Sequence, residues 1–178
     1  MNLATQLTVL RLALVPVFMV LLALDTPLLR WVAFAVFVIA SITDFLDGYI
    51  ARKMNQVTKL GKLLDPLADK VLVTAALVGL VELGEIAGWI VVVILSREFI
   101  ISIFRAMAAS TGLVIAASYW AKIKTTVQMI AILLLLANNY PASMIGIPLD
   151  QIMLYIATIL TVVSGVEYLL KNKQVLKE

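Results

Sequence analysis

Asp44-Phe45-Leu46-Asp47-Gly48-Tyr49-Ile50-Ala51-Arg52 is followed, after eight intervening residues, by Gly61-Lys62-Leu63-Leu64-Asp65-Pro66-Leu67-Ala68-Asp69. Four aspartates thus sit at the ends of two apolar segments, where an unpaired carboxylate is costly and normally avoided. Intervals of three and four residues put Asp44 with Asp47, and Asp65 with Asp69, on one helical face each. Two such pairs facing each other form a nest of oxygen ligands for hard divalent cations. Carboxylate nests of this kind suit phosphate chemistry within or beside a bilayer.

The rest of the chain is what a bilayer requires. Of its 178 residues, 63% are hydrophobic and 14% charged, with a mean hydropathy of +1.07. A soluble fold of this size needs more polar residues than that to cover its surface. We therefore expect one all-α, polytopic integral membrane domain over residues 1–178. The chain contains no cysteine and no histidine. That excludes disulfides, thiolate nucleophiles, Cys/His zinc sites and imidazole acid–base catalysis. A metal must then be held by carboxylates, which favours magnesium, manganese or calcium. The opening Met-Asn lacks a basic stretch and a small-residue cleavage site, so no removable signal peptide is expected.

Six hydrophobic stretches are read at roughly 7–24, 28–50, 63–83, 86–109, 122–138 and 149–170. Each approaches the ~20 residues that cross a hydrocarbon core, and each must be helical to satisfy its own backbone. Pro16 is placed to kink the first, and Pro66 falls near the expected start of the third, where its missing N–H matters least. Asn138-Asn139-Tyr140-Pro141 and Gly146-Ile147-Pro148 read as the turn before the last span. Arg52, Lys53, Lys59 and Lys62 crowd the second connection, Lys122 and Lys124 the fourth, and Lys171, Lys173 and Lys177 the C-terminal tail. The odd-numbered connections carry only Arg30, with Asp25, Glu82, Glu85 and Asp150 nearby. The positive-inside rule then assigns both termini and the aspartates to the cytoplasmic side of the cell membrane. Trp31, Trp89, Tyr119, Trp120 and Tyr140 fall near span ends, as interfacial anchors do.

Asp44, Asp47, Gly48 and Ala51 share one stripe, and Gly61, Asp65 and Asp69 another. Carboxylates brought that close repel one another unless cations neutralise them. Two magnesium- or manganese-type ions meet that need, and paired metals serve in-line displacement at phosphorus. Gly48 and Ala51 let a bulky ligand approach the backbone, and the planar fork of Arg52 suits a phosphate. The plainer reading makes the aspartates structural partners of Lys53, Lys62 and Lys70, or helix caps at the interface. Four carboxylates interleaved with glycine and arginine favour the functional one.

The full spacing Asp44-x2-Asp47-Gly48-x2-Ala51-Arg52-x8-Gly61-x3-Asp65-x3-Asp69 resembles, without departure, the signature of the CDP-alcohol phosphotransferases. That resemblance implies six transmembrane helices around a cytoplasm-facing polar cavity, a CDP-linked donor, two divalent metals (Mg2+ or Mn2+) and a homodimer. By it, Asp44, Asp47, Asp65 and Asp69 are metal ligands or metal-proximal, and Asp69 is the catalytic base for the attacking hydroxyl. Gly48, Ala51, Arg52 and Gly61 are donor contacts. So is Thr8, in the opening Asn2…Thr5-Gln6-Leu7-Thr8…Arg11, which departs from the family's usual pattern at Ala4 and Thr5.

Outside the motif, Arg97 and Arg105 share a stripe of the fourth span with Ile101, and arginines at membrane depth need partners such as Glu98. Lys122 and Lys124 head the fifth span, followed by Thr125, Thr126 and Gln128. Together they suggest a cationic pocket for a phosphorylated acceptor; the plainer reading of the lysines is snorkelling to water. The pattern Arg97-Glu98-Phe99-Ile100, Arg105 and Lys122-x-Lys124-Thr125-x2-Gln128 resembles the family branch that joins CDP-diacylglycerol to glycerol-3-phosphate, with CMP released. Alternatives are another acceptor (inositol phosphate, serine or phosphatidylglycerol) and, from a different class, a divalent-cation transporter. A transporter needs acidic residues at several depths, whereas these cluster at one interface.

Overall fold

A computed structural model of the chain describes residues 3–53, 59–110, 115 and 118–173, with side chains described except at 3–5, 44–53, 59–66 and 69. Six α-helices make up nearly all of it: α1 (Leu3–Ala23), α2 (Pro27–Lys53), α3 (Lys59–Glu82), α4 (Gly88–Ser110), α5 (Tyr119–Leu136) and α6 (Leu149–Lys171). Among the described residues there is no strand. Three stretches are both long and apolar enough to cross a membrane: Gln6–Ala23, Tyr119–Leu136 and Leu149–Lys171. In α2 the residues with described side chains form an apolar run over Pro27–Thr43. Leu10, Val20, Ile39, Val92, Ile103, Ile159 and Val166 are exposed. Side chains of that type on all six helices suit a lipid-facing surface, so the protein is a membrane protein.

The helices group into two compact units, Met1–Ile86 and Ala87–Glu178. In the first, α1 packs on both α2 and α3, which also touch each other. Phe18 and Phe37, both fully buried, meet at 5.9 Å between ring centroids. Gly79 lets α3 approach α1, since a Cβ there would fall 2.6 Å from Leu22 Cδ2. At the end opposite the motif, the guanidinium of Arg30, 5% exposed, is held by Asp25 at 3.2 Å and by Glu85. The basic residue expected in an odd-numbered connection is thus neutralised by two of the acids expected beside it. α1 continues through Pro16. Pro66 corrects the expected boundary: α3 already begins at Lys59, so this proline lies beyond the first turn of the helix.

In the second unit α6 packs against both α5 and α4. The turn before α6 is built as its residues suggest. Asn138 and Asn139 adopt left-handed φ of 52° and 57°, and Gly146 one of 69°. Asparagine and glycine tolerate that region best. Asn139 then clasps the turn, donating from Nδ2 to the Ile147 carbonyl at 2.7 Å and accepting at Oδ1 from Asp150 N–H at 3.2 Å. Ser118 caps α5 by accepting from Ala121 N–H at 3.3 Å, which starts that helix three residues before the expected 122. Trp31, Trp89, Tyr119, Trp120 and Tyr140 are all exposed near helix ends.

Candidate functional site

The carboxylate motif occupies the end of α2 and the start of α3. α2 stays helical through Lys53, so Asp44, Asp47, Gly48 and Ala51 keep the shared face that their spacing predicts, with Arg52 beside it. Gly61, Asp65 and Asp69 do the same on α3. The side chains of all these residues except the well-buried neighbour Ala68 lie outside those described, as does Asn2 altogether. What can be tested is the donor set. Every potential ligand in the motif is a hard carboxylate, on helices that touch within one unit, in a chain with no cysteine and no histidine. Such a set fits magnesium or manganese. On α1, Thr8 is 1% exposed and Arg11 2% exposed, three residues apart and so on one face of the helix. Arg11 belonged to the sequence pattern but carried no role there; its burial inside a membrane helix marks it.

The second cluster lies in the other unit. Arg97, Glu98 and Arg105 of α4 and Ala121, Lys122, Thr125 and Thr126 of α5 line an open cavity of about 380 Å³. That volume suits a small polar molecule. Arg97 donates from Nη1 to Glu98 at 3.3 Å and from Nη2 to Ser164 Oγ at 3.2 Å. Arg105 donates from Nε to Tyr168 Oη at 3.2 Å, and its guanidinium carbon stands 5.3 Å from that ring's centroid. Lys124, 1% exposed, is bonded to Glu98 and sits behind the cavity rather than on its wall. Lys122 is exposed and lines it. Glu98 offsets Arg97 and Lys124, while Arg105 and Lys122 add two further cations, so the cluster carries a net positive charge. A cavity of this sign, with low-dielectric walls, concentrates anions.

The expected cationic residues therefore do gather, with Lys124 as the buried member of the group. Glu98 bridges two of the cations, Arg97 and Lys124, through a neighbouring helix. Sequence reading missed the α6 side of the site: Ser164, 0% exposed, Gly165 and Tyr168, 1% exposed. Only their spacing along α6 and the small residues at 164–165 hinted at it. A Cβ on Gly165 would press to 3.1 Å from Arg97 Cγ, so the glycine makes room for the arginine. Gln128, 5% exposed and one turn beyond Lys124, keeps its Oε1 buried without a hydrogen-bond donor among the described residues.

Comparison with known proteins bears on both clusters. The CDP-alcohol phosphatidyltransferase family profile matches residues 1–163. The chain is 43% identical to the CDP-diacylglycerol–glycerol-3-phosphate 3-phosphatidyltransferase of Bacillus subtilis, across 99% of this chain and 97% of that one. It is also 43% identical to the Haemophilus influenzae protein of the same name, across 94% and 91% of the two chains. A probable phosphatidylglycerophosphate synthase of Mycobacterium tuberculosis is 40% identical, across 94% and 79%.

Proposed function

The chain belongs to the CDP-alcohol phosphatidyltransferase family, and from that premise we propose that it transfers the phosphatidyl group of CDP-diacylglycerol to glycerol-3-phosphate, yielding phosphatidylglycerophosphate and CMP. This makes it a CDP-diacylglycerol–glycerol-3-phosphate 3-phosphatidyltransferase of phospholipid biosynthesis. The observation that carries the acceptor is the cavity of Arg97, Arg105 and Lys122, backed by Lys124: it suits a small alcohol that is itself a phosphate monoester.

In this reading residues 1–178 form one membrane domain with six spans, and the family match across both compact units supports it. Both termini and the motif face the cytoplasm of the cell membrane, a reading that the distribution of lysine and arginine supports. The protein works as a homodimer, as the family resemblance implies. The family uses divalent cations, and here Asp44, Asp47, Asp65 and Asp69 would hold two, Mg2+ or Mn2+. When bound, they supply charge neutralisation for the diphosphate and the departing CMP. Gly48, Ala51, Arg52, Gly61 and Thr8 seat the donor nucleotide, whose acyl chains remain in the bilayer. Arg97, Arg105, Lys122 and Lys124 hold the acceptor phosphate. Asp69 accepts the proton of the primary hydroxyl as it attacks phosphorus in line. Most of the rate gain comes from positioning and fixed charge.

Purified protein in detergent, given CDP-diacylglycerol and magnesium, should release CMP with glycerol-3-phosphate in preference to serine, inositol phosphate or phosphatidylglycerol. Preference for any of those three overturns the acceptor assignment. Magnesium flux into proteoliposomes without CMP release would favour transport instead.

A further inference from the structure

α6 contributes no residue to the lining of the cationic cavity, yet it holds both arginines that do line it. Ser164 and Tyr168 lie four residues apart, hence on one face of α6, and each accepts a hydrogen bond from one arginine of α4. Ser164 is fixed by this arrangement, because its hydroxyl also donates onward to the Thr161 carbonyl at 3.3 Å. Tyr168 is clamped. It is 1% exposed, meets Phe104 edge-on at 5.9 Å and 77°, and packs in one apolar cluster with Ile101 and Phe104. A phenol so fixed has one position for its oxygen, and that oxygen takes Arg105 by Nε.

The choice of nitrogen matters. An arginine held at Nε keeps its two terminal amino groups, and among the described residues those of Arg105 bond to no protein atom. They form one edge of the planar fork, the arrangement that meets two oxygens of a phosphate at once. A free arginine must lose the rotamer freedom of a long side chain to do the same.

We propose that Tyr168 is a positioning residue for the acceptor: it pre-orients Arg105 so that the guanidinium receives a terminal phosphate monoester without further ordering. The proposal rests on the acceptor role given to this cavity. Its consequence is selectivity: a neutral alcohol gains little from a fork held this way, whereas a tetrahedral dianion gains both bonds.

Tyr168→Phe removes the phenol oxygen and keeps the ring packing. In steady-state assays of the purified full chain, it should raise the KM for glycerol-3-phosphate about tenfold, as loss of a hydrogen bond to a charged group does. The KM for CDP-diacylglycerol and kcat should stay within about twofold, since neither involves this contact. Combined with Arg105→Ala, the same change should add nothing, because the two residues act through one bond. Equal rises in both KM values, or fully additive effects in the double variant, overturn the proposal. Should Tyr168→Phe fold poorly, Arg105→Lys reads the same bond from the other side. Lysine keeps the charge but loses the Nε anchor, so the acceptor KM should stay near that of Arg105→Ala; restoration of the wild-type value overturns the proposal. Failure of the underlying acceptor reading looks different: Arg105→Ala would itself leave the KM for glycerol-3-phosphate unchanged.

Discussion

The two charged regions of this molecule are written in the chain in opposite ways. The carboxylate motif is local. Its eight key residues fall between Asp44 and Asp69, two adjacent helices carry them, and regular i, i+3 and i, i+4 intervals place them on shared faces. The cationic cavity is assembled at long range. Lys124 meets Glu98 across 26 residues, Arg105 meets Tyr168 across 63, and Arg97 meets Ser164 across 67. A local site is legible because helical periodicity alone brings its residues together. A distributed one is legible only in its charged members, since the residues that orient them are ordinary serine, glycine and tyrosine.

The contrast also concerns charge. Clustered carboxylates call for cations from outside, whereas the cavity balances part of its own charge through Glu98. Removing a charge should therefore abolish chemistry in the first region and shift binding or stability in the second.

The sharpest break is Asp65→Asn. Loss of one carboxylate from the proposed metal set should lower CMP formation by about a thousandfold or more, with thermal stability in detergent retained. Near-normal turnover would instead make the aspartates structural partners of nearby lysines. Next comes Glu98→Ala, which takes away the carboxylate that faces deeply buried Lys124 as well as Arg97. Losing one side of such a buried pair should destabilise the protein by about 3 kcal/mol, seen as a lower melting temperature, along with a raised acceptor KM. Arg30→Ala tests the pairing at the far end of the first unit. It removes a buried guanidinium but leaves Asp25 and Glu85 partly accessible to water, so about 1–2 kcal/mol is expected, with kinetics unchanged. Lys122→Ala should have the smallest effect. Its side chain is exposed, so the acceptor KM should rise only about two- to threefold, with the difference vanishing at high salt. An effect as large as that of Arg105→Ala would place Lys122 in direct contact with the phosphate.

Much of the architecture was legible beforehand. All six apolar stretches became helices, and the expected and observed ends differ by about four residues or fewer, within the usual uncertainty of helix boundaries. The turn before α6 followed from Asn138, Asn139 and Gly146, residue types that tolerate positive φ. Pro66 was misjudged because lysine-rich residues ahead of an apolar run read as a loop. The backbone there nevertheless continues as helix, since lysine and leucine are good helix formers. Hydropathy alone also smoothed over Arg97, Glu98 and Arg105 in α4, which keep that helix out of the three stretches that, among the described residues, are long and apolar enough to span.

What the sequence determined by itself was the helical, membrane-embedded character of the chain and the carboxylate motif, because apolar composition and helical period act over neighbouring residues. Only the tertiary structure decided that Lys124 is buried against Glu98, that Lys122 faces the cavity, and that α6 holds Arg97 and Arg105 through Ser164 and Tyr168. Those outcomes depend on which helix faces pack together. Interhelical packing is set by shape complementarity among residues far apart in the chain, such as Gly165 against Arg97, and periodicity along one helix carries no record of its partner.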